Sequence, residues 1–168
     1  MIKVIDNCIS EENQKFLIKT IIDNNYFPWF FGRDVTFQDG KQKRPAFSHY
    51  FVINRKENSS GIKVIQPLFK KYIKKEIINF KTVIQLPLNT KKNLPYDTPH
   101  VDSDEPHTVL LYYVCDSDGE TVLFKNKKIY KKVEPKQGRL LIFDGKTLHT
   151  AYQPTKNIRC ILNINEAK

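Results

Sequence analysis

A chain of 168 residues makes one ordinary domain, burying roughly 70% of its unfolded surface, and needs no second one. Its formal net charge of +10, from 28 Lys and Arg against 18 Asp and Glu, reads first as a solvated lysine-rich surface; nucleic acid or another acidic partner is the alternative. Three unpaired-looking cysteines (Cys8, Cys115, Cys160) argue against a disulfide frame or a zinc site, and neither a signal peptide nor an apolar run of membrane-spanning length is present, so a soluble cytoplasmic protein is expected, in the host cytoplasm if the source is viral.

The first predicted element is a helix. Ser10 is its N-cap, Glu11 and Glu12 occupy the first turn, and Phe16, Leu17, Thr20 and Ile21 recur at helical spacing up to Asn24-Asn25. Next comes the aromatic segment Tyr26-Phe27-Pro28-Trp29-Phe30-Phe31, read as core with one exposed rim. Strand-like pieces follow around Val35–Phe37 and Phe47–Ile53, and 54–61 reads as a mobile loop. From Gly61 to about Asn79, the spacing of Ile62, Ile65, Phe69, Tyr72, Ile73 and Ile77 predicts a long amphipathic helix with its lysines off the apolar stripe.

After that the pattern changes to short strands: Lys81–Leu86, His100–Asp102, Thr108–Cys115, Thr121–Phe124, Ile129–Val133, Arg139–Phe143 and Ile158–Asn165. Turn signals separate them, at Asp116–Gly119, Asn126-Lys127, Pro135–Gly138 and Asp144-Gly145. The expected architecture is a mainly β jelly roll, a double-stranded β-helix of the cupin-like kind, backed by two N-terminal helices. Residues 1–168 form a single domain in this reading, with 1–80 as helical and aromatic support and 81–168 as the jelly-roll core.

The chemistry-bearing residues fall between Pro99 and Asn163. If His100 and Asp102 lie on a strand, its period of two puts both on one face. His149, after the apolar strand Leu140–Phe143 and its turn, would complete a site of two imidazoles and one carboxylate. That set leaves half the coordination sphere open and suits non-haem Fe(II). His49 and His107 are read as ordinary residues.

The sequence resembles the 2-oxoglutarate and Fe(II)-dependent oxygenases, in the prolyl 4-hydroxylase-like branch with its compact phage and marine microbial members. The resemblance rests on Pro99-His100-Val101-Asp102, Thr108–Val114, Asp118–Phe124, Glu134–Asp144, then His149 and Arg159, in order and at matching spacing. Asp118 stands where many prolyl hydroxylases have a glycine. The resemblance implies an Fe(II) held by His100, Asp102 and His149, with Mn, Ni or Zn able to take its place. It further implies 2-oxoglutarate as cosubstrate, dioxygen as oxidant, and ascorbate as a reductant.

Arg159 is then the partner of the cosubstrate's far carboxylate, with Tyr113 assisting and Asn163 beside it; Lys146 or Lys156 is the alternative source of that charge. Strand parity places Arg159, Ile161, Asn163 and Asn165 inside the barrel and Cys160, Leu162 and Ile164 under the helices. The expected activity is hydroxylation of a peptidyl, prolyl-type side chain. The alternatives are a nucleic-acid demethylase and a non-catalytic jelly-roll binding protein. Demethylases of this superfamily usually carry a second arginine six residues after the first, where this chain has Asn165. Residues 26–37, 54–61 and 90–98 are expected to frame the cleft.

Overall fold

The computed structural model describes residues 2–33, 44–88 and 96–168. The expected strand at 35–37 and most of the loop 90–98 lie outside the described residues. A large antiparallel sheet carries β1 (Lys3–Ile5), β9 (Leu140–Asp144), β6 (His107–Tyr113), β11 (Arg159–Ala167), β5 (Ile77–Gln85), β3 (Ala46–Ile53) and β2 (Phe30–Gly32), in that spatial order; β4 (Lys56–Glu57) pairs with β3. A smaller antiparallel sheet has the order β10 (His149–Ala151), β7 (Thr121–Lys125), β8 (Lys128–Val133). This is the jelly roll that the alternation of short strands and turns implies.

Each face of the large sheet covers a separate core, because alternate side chains leave a strand on opposite sides. On one face Phe51, Phe80, Tyr112, Leu162 and Ile164 pack with Leu17 and Ile21 of the N-terminal helix and with Ile65 and Phe69. On the other, Val83, Val109, Leu111, Tyr113, Phe143 and Ile161 meet Leu123 and Val133 of the small sheet. β11 is buried on both faces from Arg159 to Glu166, flanked by β5 and β6. Its parity follows the sequence reading.

Helix α1 spans Glu11–Leu17 and continues as a π-helical turn through Ile22. Ser10 accepts a hydrogen bond from the Asn13 amide, as its N-cap role requires.

The second helix is far shorter than its periodicity predicts. α2 runs only over Ile62–Ile65 and gives way to a 3-10 turn over Gln66–Phe69. Pro67 has no N–H to offer and its ring crowds the preceding turn, so the α-helix stops ahead of it. Glu166 then accepts the Lys74 and Lys75 amides, and from Ile77 the chain belongs to β5. The apolar stripe is nonetheless real, since Ile62, Ile65, Phe69 and Ile77 all reach the same core. Because β1 and β3 also belong to the sheet, residues 1–80 supply strands as well as helical support.

Residues 54–61 are a structured hairpin rather than an open loop. Asn54 and Arg55 turn the chain with φ of 47° and 67°, Lys56–Glu57 pairs back on β3, and the Asn58 and Ser59 amides donate to the Phe51 carbonyl. Among the described residues, no helix is long and apolar enough to cross a membrane.

Candidate active site

His100 does not lie on a strand, so strand parity is not what places it beside Asp102. Its backbone forms a reciprocal bridge with the first residue of β10: the His100 amide donates to the His149 carbonyl at 2.9 Å, and the His149 amide returns the bond at 2.9 Å. The bridge sets the two imidazoles 4.8 Å apart, centre to centre. Asp102 then turns back between them, with Oδ1 3.7 Å from His100 Nε2 and Oδ2 3.8 Å from His149 Nε2.

The imidazoles are held in one orientation by the same device. His100 Nδ1 bonds the Thr98 carbonyl at 3.1 Å and His149 Nδ1 bonds the Thr147 carbonyl at 3.0 Å. A carbonyl only accepts, so each Nδ1 carries the proton and each Nε2 is left with its lone pair turned toward Asp102. Burial pushes His149 down to about 4, against the pull of Asp102, so it is neutral at ordinary pH. Burial acts in the opposite sense on Asp102, but the two imidazoles once protonated, together with the Lys81 charge and the Asn163 hydrogen bond, hold its carboxyl well below the usual range. Asn163 Nδ2 donates to Asp102 Oδ2 at 3.1 Å.

This donor set fits a divalent first-row metal. The three donor atoms lie within 4.8 Å of one another, near the spacing of about 4.2 Å that an ion about 2.1 Å from each donor accepts at most, and each imidazole already has one Asp102 oxygen inside that limit. Two neutral nitrogens and one carboxylate on one side of the ion leave the other side open.

A cavity of about 60 Å³ leads from these donors, past Val83, Leu111 and Ile161, to a polar end formed by Gln85, Thr121 and Arg159. Arg159 is 3% exposed and fixed on three sides: Nε donates to the Gly119 carbonyl at 2.9 Å, one terminal nitrogen to Gln85 Oε1 at 3.0 Å, and the other to Thr121 Oγ1 at 2.9 Å. Those bonds use three of a guanidinium's five donors, leaving two, one for each oxygen of a carboxylate. A side chain at Gly119 would meet Arg159 Cδ at 2.9 Å, so glycine is needed there for the arginine to pass. Lys146 and Lys156 are exposed and line neither this cavity nor its neighbour.

Tyr113 sits one step further back than expected. Its hydroxyl donates to Thr121 Oγ1 at 2.7 Å, and it does not line the cavity. Burial raises it to about 12, so it stays protonated. Thr121 Oγ1 therefore accepts two bonds, from Tyr113 and Arg159, and its own hydrogen is what remains to offer the cavity.

Gln85, Lys81 and Asp97 were not legible as site residues. Gln85 bridges Arg159 to Asp97 Oδ2, and Asp97 is paired with Arg44 at 3.2 Å. The signal that finds Gln85 and Lys81 is register: they face Arg159 and Asn163 across β5–β11. His49 and His107 lie outside the cavity; His49 packs among Phe27, Phe30 and Phe51, and His107 bonds the Glu105 carbonyl. Of the segments expected to frame the cleft, Asp97 and Thr98 reach the site, whereas none of 54–61 lines either cavity.

The fold is that of the 2-oxoglutarate–Fe(II) oxygenases and prolyl hydroxylases. A 2OG-Fe(II) oxygenase family oxidoreductase from Burkholderia pseudomallei superposes with a TM-score of 0.76 at 10% identity, over 98% of this chain and 84% of that one. A Trichoplax adhaerens prolyl hydroxylase, solved with a hypoxia-inducible factor oxygen degradation domain peptide fragment, gives 0.66 at 15% identity over 98% and 83%. A Pseudomonas putida prolyl-4-hydroxylase gives 0.64 at 11% identity over 99% and 92%. No protein-family model matches the sequence, and no curated protein does.

Proposed function

We propose that the protein is a 2-oxoglutarate- and Fe(II)-dependent dioxygenase that hydroxylates a peptidyl side chain of the prolyl type. The observation that carries this reading is the placement of His100, Asp102 and His149 at one end of a single cavity and the buried Arg159 at the other. Prolyl hydroxylases among the structures of the same fold, one of them holding a peptide, support the substrate class.

His100 Nε2, His149 Nε2 and an Asp102 oxygen would hold the metal. With 2-oxoglutarate and dioxygen, iron held there would supply the oxidative decarboxylation to succinate and carbon dioxide that is coupled to turning a substrate C–H into C–OH. Arg159 offers two N–H donors to the far carboxylate, and Thr121 offers its hydroxyl. Asn163 keeps Asp102 from rotating, so the carboxylate presents one oxygen to the metal side. Val83, Leu111 and Ile161 wall the passage between, leaving little room for water.

Fe(II)-loaded protein given 2-oxoglutarate labelled at C1 tests the reading. Labelled carbon dioxide should be released, faster with proline-containing peptides than without. Absence of release from fully loaded protein would leave a jelly-roll binding protein.

A further inference from the structure

Beyond the metal donors, a second cavity of about 180 Å³ opens between the strands, lined by Tyr50, Asn79, Lys81, Asp102, Asn163 and Asn165. Lys81, Asp102 and Asn163 also line the first cavity, so the two meet at the proposed metal position. The lining is laid out by register: Asn163, Lys81 and Tyr50 form one row across β11, β5 and β3, and Asn165 and Asn79 form the next. Every lining residue therefore brings a polar group to the cavity, beside the ring of Tyr50.

Three of its groups define what would fit. Asp102 can only accept, so the Asn163 amide nitrogen must face it and Asn163 Oδ1 must point elsewhere; that oxygen is buried with no hydrogen-bond partner. Asn165 Oδ1 is likewise buried and unpartnered, on a residue 3% exposed. Lys81 is the cation of the site. Its ammonium lies 5.6 Å from the centre of the Tyr50 ring and acts electrostatically on the Asp102 carboxylate, with which it forms no direct ion pair. An unpaired acceptor in such a place carries its desolvation cost until a donor reaches it, and a half-buried ammonium favours an anion.

We infer that this cavity binds the carboxylate and adjacent N–H of an amino acid, placing the carboxylate on Lys81 and the N–H on the carboxamide oxygens of Asn163 and Asn165. The shared chemistry belongs both to a free α-amino acid and to the C-terminal residue of a peptide. About 180 Å³ gives room for one such residue and too little for a folded segment. The inference rests on the proposed activity, because it assigns the substrate side of the same metal centre.

Calorimetric titration of Mn(II)-loaded, 2-oxoglutarate-saturated protein with three matched sets tests it: the free L-amino acids, their N-acetyl forms and their carboxamides. At least one free or N-acetyl amino acid should bind, with its carboxamide at least tenfold weaker. Equal binding of the N-acetyl form identifies a peptide C-terminus, and binding of the free form alone identifies a free amino acid. Lys81→Met should remove the preference for the carboxylate at least tenfold, and a cooperative thermal melt of the variant shows that it is folded. Carboxamides binding as well as carboxylates, or no member of the first two sets binding, overturns the inference. So does a Lys81→Met defect in 2-oxoglutarate binding as large as that of Arg159→Ala, since Lys81 would then serve the cosubstrate. Failure of the wild-type protein to bind 2-oxoglutarate at all would be a failure of the proposed activity instead.

Discussion

At the scale of single residues, the carboxylate end of the cavity separates a direct role from an indirect one. Arg159→Ala removes a charge-assisted fork worth at least one net hydrogen bond to a charged group, about 1.5–3 kcal/mol, so the 2-oxoglutarate requirement should rise by about ten- to a few-hundred-fold. Thr121→Val removes the hydroxyl that Thr121 offers to the cavity and should raise it about tenfold. Tyr113→Phe removes only a bond to Thr121 and should cost less than either. Lysine at 159 should restore part of the loss, because a point charge cannot also reach Gly119, Gln85 and Thr121. Apparent 2-oxoglutarate affinities of the four variants rank them; a Tyr113→Phe defect larger than that of Thr121→Val would contradict the geometry. The buried His149 carries a pH signature of its own. Its folded value of about 4 lies below its ordinary 6.5, so between those values the unfolded chain binds the proton and the folded one does not. Stability of the metal-free protein should therefore fall as pH drops from about 6.5 to 4, by on the order of 3 kcal/mol. Thermal melts across that range should show the slope in the wild type and a flatter profile in His149→Gln.

At the scale of elements, what the sequence disclosed and what it hid divide along local and non-local lines. The strands of the jelly roll were legible because alternation and turn residues are local; β6, β7, β8, β9 and β11 fall within about two residues of their expected bounds. The long helix was misread because Ile62, Ile65, Phe69 and Ile77 do face one core, and periodicity reports the face without testing whether Pro67 and Glu166 let the helix continue. The metal ligands were legible as residue types, but the His100–His149 bridge that unites them is a contact across 49 positions, and spacing cannot show it. Gln85 and Lys81 were hidden for the same reason: polar and apolar residues mix on both faces of β5, and only its partner β11 shows which face is which. The β7–β8 hairpin allows a clean test of local rules. Its two-residue turn places Asn126 and Lys127 at φ of 51° and 60°, where a side chain at the second position is unfavourable. Lys127→Gly should stabilise by about 0.5–1 kcal/mol, measured by denaturant midpoint. Arg55, at φ 67° in the β3–β4 turn, should behave differently, because Arg55→Gly also breaks its pairs with Glu76 and Glu105.

At the scale of the whole molecule, the proposed metal position lies where separate parts of the chain converge. His149 belongs to the small sheet, His100 and Asp102 to the segment before β6, and Asn163, which holds Asp102, to the middle of the large sheet. An ion there links both sheets, and unfolding must release it, so its binding energy adds to global stability. At a hundred times its dissociation constant a metal contributes about 2.7 kcal/mol. For a chain of this length each kcal/mol is worth roughly 2–4 °C in Tm, so saturation should raise Tm by about 5–11 °C. 2-Oxoglutarate should add a second increment that depends on the first, since it needs both the ion and Arg159. The variants then separate the two contributions. Asp102→Ala should lose the metal shift, its metal stoichiometry and the cosubstrate shift together. Arg159→Ala should keep the metal shift and lose most of the cosubstrate increment. Differential scanning calorimetry of the three proteins with chelator, with Mn(II), and with Mn(II) plus 2-oxoglutarate gives all of these values. A cosubstrate shift that survives in Asp102→Ala would place 2-oxoglutarate away from the metal and break the link between the two ends of the cavity. An unchanged metal stoichiometry in the same variant would move the ion off His100, Asp102 and His149 altogether.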